Sequence, residues 1–172
     1  MLRHIRVLRR PGDPRRGLLI TDGRPIPCAL GRGGVTRRKR EGDGATPAGA
    51  LRPVQAFYRA DHGQRPRCML PLRPIRARDG WCDDTRDRNY NRAVTLPYPA
   101  GCETMRRPDA LYDIVVELDW NRKPAVRGRG SAIFLHVARD GFRPTEGCVA
   151  IRIADLRRLL PRLSGRTRFV IS

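Results

Sequence analysis

Lysine is nearly absent from this 172-residue chain: Lys39 and Lys123 are the only two among 36 basic residues, so 36 − 2 leaves 34 arginines. The net charge of +19 invites a nucleic-acid role. The arginines, however, are dispersed; only "RRKR" at 37–40 forms a compact cluster, and no aromatic residues interleave with it as a stacking platform requires. The composition predicts weak, sequence-independent attraction to polyanions that fades with salt. Long apolar runs are missing too, and without roughly 18 consecutive apolar residues no membrane span is expected. The basic start "MLRHIRVLRRPGDPRRGLLI" lacks an apolar segment of secretory length, so the residues leave location open. No C-x-x-C occurs, and the five cysteines (28, 68, 82, 102, 148) are widely spaced. That argues against a structural zinc site, and an odd number leaves at least one thiol free. With no internal repeat or low-complexity linker, the expectation is one domain over 1–172. Nothing in the pattern speaks to oligomeric state.

What the chain has in quantity is short apolar runs between turn residues. "HIRVLRR", "GLLITD", "IPCALG", "LRPVQAFYRA", "YDIVVELDW", "SAIFLHVA", "CVAIR" and "RFVIS" all read as strands. "YDIVVEL" and "SAIFLHV" are nearly continuous and should be buried on both faces. "IADLRRLLPRL" reads as a helix: Ile153, Leu156, Leu159, Leu160 and Leu163 share one face, and Pro161 tightens its last turn. The expected fold class is mainly β, a mixed sandwich or partly open barrel with one or two short helices. Residues 31–49 and 71–109 lack periodicity. Unpatterned stretches of that length usually serve as lids or binding loops, and 79–92, with Trp81, Asp83, Asp84 and Tyr90, is a candidate lid.

One stretch, "SAIFLHVARDGFRPTEGCVAIRIADL", places a histidine and a cysteine at the borders of two apolar runs. A cysteine is a nucleophile only as thiolate and needs a base or positive field nearby. If the strands carrying His136 and Cys148 are sheet neighbours, imidazole and thiol can come within hydrogen-bond reach. Gly147 permits a sharp approach in which the N–H groups of Gly147 and Cys148 face one oxyanion, and Thr145 can brace that turn with its hydroxyl. The bland alternative is two core residues, since free cysteine often behaves as a small buried hydrophobe. Cys28, Cys68, Cys82 and Cys102 have no comparable setting, and His4 and His62 stand among polar residues.

"IFLHV…PTEGCVAIR" resembles the signature of the YkuD-type L,D-transpeptidases, in which a strand-borne histidine precedes a Ser/Thr-x-Gly-Cys-Val/Ile turn. A second match, "GDGATPAG" at 42–49, resembles that family's Gly-Asp-x-x-Thr-Pro-x-Gly segment. "GWCDD" and "YDIVVELDWN…GRGSAIFLH" resemble one branch of it, so the likeness runs from about residue 28 to the C-terminus. The chain departs from the pattern in four ways. The interval from His136 to Cys148 is short, Glu146 stands where a basic residue or histidine is common, Ala150 replaces an arginine, and Val137 replaces a glycine. Arg152 is a candidate to compensate for Ala150.

The resemblance implies a cysteine-dependent L,D-transpeptidase acting on peptidoglycan stem peptides, in cell-wall biogenesis and maintenance of cell shape. Cys148 would form a thioester acyl-enzyme, His136 would move the protons, and an amine acceptor would take the acyl group. The N–H groups of Gly147 and Cys148 would hold the oxyanion; Thr145, Arg152, Tyr112 and Trp81 are candidate substrate contacts. No metal or organic cofactor is implied, covalent reaction with carbapenems is, and the family points to the cell envelope. Water as acceptor would instead make an L,D-carboxypeptidase, and the arginine content keeps a polyanion-binding module as the reading from another class. A base acting on a resting thiolate further predicts that loss of His136 shifts the Cys148 titration upward.

Overall fold

The computed structural model describes every residue from Met1 to Ser172. In chain order the first strands are β1 (His4–Arg10), β2 (Asp13–Thr21), β3 (Arg24–Ala29), β4 (Val35–Thr36) and β5 (Thr46–Pro47). They are followed by β6 (Gly49–Leu51), β7 (Pro53–Tyr58), β8 (Leu72–Pro74), β9 (Asp79–Cys82) and β10 (Arg92–Thr95). The last are β11 (Cys102–Thr104), β12 (Ile114–Leu118), β13 (Phe134–Val137), β14 (Val149–Ile151) and β15 (Arg168–Ile171), with one helix, α1 (Ile153–Leu159). The fold is mainly β, as its many short apolar runs predict. No helix is long and apolar enough to cross a membrane.

Ten strands form one sheet in the order β6-β15-β1-β2-β3-β14-β13-β12-β7-β8. One edge strand, β6, runs directly into β7, the penultimate strand at the opposite end, where β8 forms the other edge. β6 pairs with β15 and β7 pairs with β12, with only Arg52 between them. The sheet therefore curls round and returns to the segment 49–58, a partly open barrel rather than a flat layer.

Apolar patterning explains which strands sit in the middle. Along β12 every residue is buried, and the side chains divide between two cores: Val116 and Leu118 into one, Val115 into the other. β13 does the same, with Leu135 and Val137 on one face and Phe134 on the other. A strand covered on both faces has no place for polar alternation, hence the continuous runs. The larger core receives Leu156, Leu159, Leu160 and Leu163, and Ile153 packs at its edge. Pro161 lies in a 3-10 turn, Leu160–Arg162, that closes α1; lacking an N–H, proline cannot extend the α-helical ladder.

The stretch 71–109 is more ordered than its composition predicts. β10, β9 and β11 form an antiparallel three-stranded sheet, in which Cys82 and Cys102 lie directly opposite one another. Both cysteines are therefore strand residues rather than loop residues. Trp81 is buried, edge-on to Phe134 with ring centroids 5.1 Å apart. Its indole N–H donates to Asn91 Oδ1 at 3.0 Å, an oxygen that also accepts the Ala132 N–H at 3.0 Å. The candidate lid 79–92 is thus anchored near both ends, at Trp81 and Asn91, and its Asp83 lines the cleft into which Cys148 opens.

Candidate active site

His136 and Cys148 come together because β13 and β14 run side by side, parallel, with Leu135 opposite Val149 and His136 opposite Ala150. That register sets Phe134 across from Cys148, so Phe134, His136, Cys148 and Ala150 share one face. The excursion between the strands ends in the turn Thr145–Cys148, which is over-determined. The Thr145 hydroxyl accepts the Gly147 N–H at 3.1 Å and donates to the Cys148 carbonyl at 2.7 Å. The same carbonyl accepts from the fully buried Thr46 hydroxyl at 3.5 Å, and Thr46 Oγ1 accepts the Gly31 N–H at 2.8 Å. The two sequence motifs, a hundred residues apart, thus meet on one carbonyl.

Within the upstream motif, Asp43 organises its own loop. Its carboxylate accepts the N–H groups of Arg40 and Ala45, each at 2.8 Å, and pairs with the buried Lys39 ammonium at 2.5 Å. These contacts hold the carboxyl below the usual aspartate range against the opposing effect of burial. The "RRKR" cluster is accordingly not uniformly solvated: its lysine is a structural cation.

Gly147 has φ +133°, and a Cβ there would lie 2.8 Å from the Ala45 carbonyl oxygen. Gly147→Ala therefore combines backbone strain of about 1–3 kcal/mol with a clash against main chain that is itself pinned by Asp43. We expect a clear fall in the urea midpoint together with loss of Cys148 reactivity, because relief of the clash displaces the cysteine. An alanine variant with unchanged stability and reactivity would show that the turn tolerates a side chain.

The thiol of Cys148 is 8% exposed, accepts a hydrogen bond from the Phe134 N–H at 3.4 Å and donates to the Ala132 carbonyl at 3.2 Å. Burial, followed by the charge of Glu103, pushes its pKa up to about 12. His136 is 6% exposed, and Nδ1 lies 2.9 Å from the Val137 carbonyl. A carbonyl only accepts, so Nδ1 carries the proton and the Nε2 lone pair is left free. Burial lowers the imidazole pKa to about 4. Both groups are therefore neutral near pH 7, and no hydrogen bond joins them. This revises the expectation of a direct thiol–imidazole bond at rest. Of the two N–H groups expected to face an oxyanion, that of Gly147 donates to Thr145 at rest, whereas that of Cys148 has no partner.

Cys148, His136 and Ala150 open into a cleft of about 220 Å³. Its lining carries charges of both signs: Glu41, Asp83, Glu103 and Glu146, and Arg107, Arg139 and Arg143. Tyr112 and Thr145 line it as well. The Tyr112 ring stands edge-on to the imidazole, 5.3 Å between centroids, and its hydroxyl donates to Glu103 Oε1. Trp81 does not reach the cleft, being committed to the core. Arg152 is exposed, with its guanidinium 5.4 Å from the centroid of the Phe142 ring, and lies outside the lining. Glu146 pairs with Arg32 at 2.8 Å, an exposed contact of little energetic weight. No three His, Cys, Asp or Glu side chains converge as a metal site would require. Glu103 and Arg107 escaped the sequence reading because they lie in the unpatterned stretch 71–109, and Arg139 and Arg143 because the excursion between His136 and Cys148 gives no sign of which way its side chains turn.

A mainly β barrel-like sheet with a cysteine and a histidine on adjacent strands of one charged cleft defines the class of molecule. Residues 10–171 match the family model for the YkuD L,D-transpeptidase catalytic domain, and the chain belongs to that family. Similar solved structures include L,D-transpeptidase 1 of Mycobacterium tuberculosis, at 10% identity, with a TM-score of 0.43, covering 98% of this chain and 61% of that one. Bd1075 of Bdellovibrio bacteriovorus is similar at 15% identity, with a TM-score of 0.45, covering 99% of this chain and 48% of that one. This chain thus spans less than two thirds of either structure. No curated protein sequence matches it significantly.

Proposed function

We propose that the protein is a cysteine-dependent L,D-transpeptidase that acts on peptidoglycan stem peptides outside the cytoplasmic membrane. The observation that carries this reading is the shared cleft of Cys148 and His136, with the imidazole locked in the tautomer that leaves Nε2 free. Cys148 attacks the carbonyl that joins a diaminoacyl residue to a terminal D-amino acid. The thiol turns from Ala132 and gives its proton to Nε2 as the S–C bond forms, so no standing thiolate is required. The imidazolium returns that proton to the leaving amine, and a thioester remains. Of the two backbone donors at the turn, the unpartnered Cys148 N–H is the one free to hold the oxyanion. The arginine side of the cleft suits the carboxylates of a stem peptide, and an amine from a second stem then accepts the acyl group.

The test is incubation of the protein with a tetrapeptide stem ending in D-alanine, followed by intact-protein mass spectrometry. A thioester adduct on the segment containing Cys148, with release of D-alanine, is expected; addition of an amine acceptor should convert the adduct to amide product. Release of D-alanine without amide in the presence of acceptor would make the protein a carboxypeptidase. No adduct and no release from any stem peptide would remove the reading.

A further inference from the structure

Acyl transfer to an amine raises a proton problem that Cys148 and His136 do not solve alone. An alkyl ammonium titrates near pH ~10, so the acceptor arrives charged and without a lone pair. It must shed one proton before it can attack, and the imidazole is neutral but needed for a second one. A half-buried carboxylate lining the same cleft as the thioester is the group suited to the first proton, since a carboxylate both attracts an ammonium and accepts from it.

The cleft contains such a group. Glu103, on β11, lines it together with Cys148. Oε1 accepts the Tyr112 hydroxyl, whose ring rests against His136, while Oε2 has no hydrogen bond within the chain. Its nearest cation is Arg107, at 3.8 Å, and Arg107 is itself engaged by Asp109 at 2.9 Å. Glu103 acts on Cys148 electrostatically. Burial raises its pKa, the direction that makes a carboxylate a better base. Glu41 and Asp83 line the same cleft. In a chain of net charge +19, these carboxylates give the cleft negative charge to which an ammonium is attracted.

We propose that Glu103 receives the acceptor ammonium and takes its first proton in the second half-reaction. The inference rests on the acyl-transfer reading above. The neutral nitrogen attacks the thioester carbonyl, the N–C bond forms, and the C–S bond breaks with its electron pair on sulfur. The second nitrogen proton passes through His136 Nε2 to that sulfur and restores the thiol. The proton on Glu103 leaves to solvent, so each cycle of this half-reaction releases one proton. Hydrolysis of the thioester brings no ammonium and makes no such demand on Glu103.

The experiment starts from the thioester preformed on the full-length protein with a tetrapeptide stem, so that absence of the thioester in the unaltered protein would count against the acyl-transfer reading and not against Glu103. The measured quantity is the ratio of amide to hydrolysis product in the unaltered protein, Glu103→Gln and Glu103→Asp, with glycinamide or hydroxylamine as acceptor. With glycinamide near neutral pH, Glu103→Gln should lower the ratio by at least ~10-fold, and the deficit should close as the pH approaches that of the amine's own titration. Glu103→Asp, which keeps the carboxylate, should recover part of the ratio. Hydroxylamine, already neutral at neutral pH, should be acylated equally well by all three proteins. Alkylation of Cys148 in the free protein should become faster in Glu103→Gln, because a charge that opposes the thiolate has been removed. An unchanged glycinamide ratio would overturn the proposal. So would an equal loss with hydroxylamine, or a loss in Glu103→Asp as deep as in Glu103→Gln with no recovery at high pH, since either marks a structural defect.

Discussion

Cys148→Ser is expected to abolish covalent reaction at the cleft, with a loss in acylation rate on the order of 10⁴-fold or more. A serine hydroxyl beside a neutral imidazole is a far weaker nucleophile than a thiol, and burial disfavours its ionisation further. The reagent of choice is a carbapenem, whose strained lactam mimics the donor carbonyl. One adduct per chain should map to the peptide that contains Cys148, and none should form on the serine variant. Four other cysteines serve as internal controls. Cys28 lies in the main core, with its thiol raised by burial to about 12, and Cys82 and Cys102 face each other across strands. None shares the cleft, so alanine at 28, 68, 82 or 102 should leave the adduct in place. An adduct on one of these, or full turnover by Cys148→Ser, would refute the assignment of the nucleophile.

His136→Ala should slow acylation by about 10²–10⁴-fold, the usual range for loss of a general base. The geometry gives a different expectation for the alkylation profile from the upward shift that a resting thiolate implies. Because the resting thiol is set by burial and by Glu103, not by a hydrogen bond to imidazole, the alkylation profile of Cys148 should not move upward in the variant. An upward move would mean that His136 stabilises a standing thiolate. Stability gives an independent readout. The unfolded imidazole binds a proton below pH ~6.5, whereas the folded one resists until about 4. The unfolded state thus holds more protons in this window, and stability falls as pH drops from about 6.5 to 4, by on the order of 3 kcal/mol. His136→Phe, which keeps the ring volume, should lose that acid-linked component in urea titrations at successive pH values. Identical pH dependence in both proteins would show that the imidazole is not held neutral by burial.

The residues alone determined a good deal. Continuous apolar runs at 112–118 and 131–137 identified strands covered on both faces, since only such strands dispense with polar alternation. The helical spacing from Ile153 to Leu163 and the stop at Pro161 were equally legible, because helix period and proline chemistry are local. The two glycine-containing motifs, and the Thr145–Cys148 turn within one of them, were also visible, since turn chemistry depends on neighbours in sequence.

What the tertiary structure decided was everything that depends on which strands become neighbours. The parallel register of β13 and β14 puts His136 opposite Ala150 and Phe134 opposite Cys148, so the imidazole and thiol share a cleft without a bond between them. Thr46 meets the Cys148 carbonyl across 102 positions of chain, a contact that no local pattern encodes. Neither Trp81 nor Arg152 lines the cleft: the indole packs beneath it in the second core, which also holds Tyr112 and Cys148, and the guanidinium lies over Phe142. Glu103 and Arg107 come from an irregular stretch where charge carries no period, and Arg139 and Arg143 from the excursion between His136 and Cys148. Their role in the cleft follows from the folding of those stretches over one face of the sheet, because electrostatic neighbourhoods are properties of space and not of sequence order.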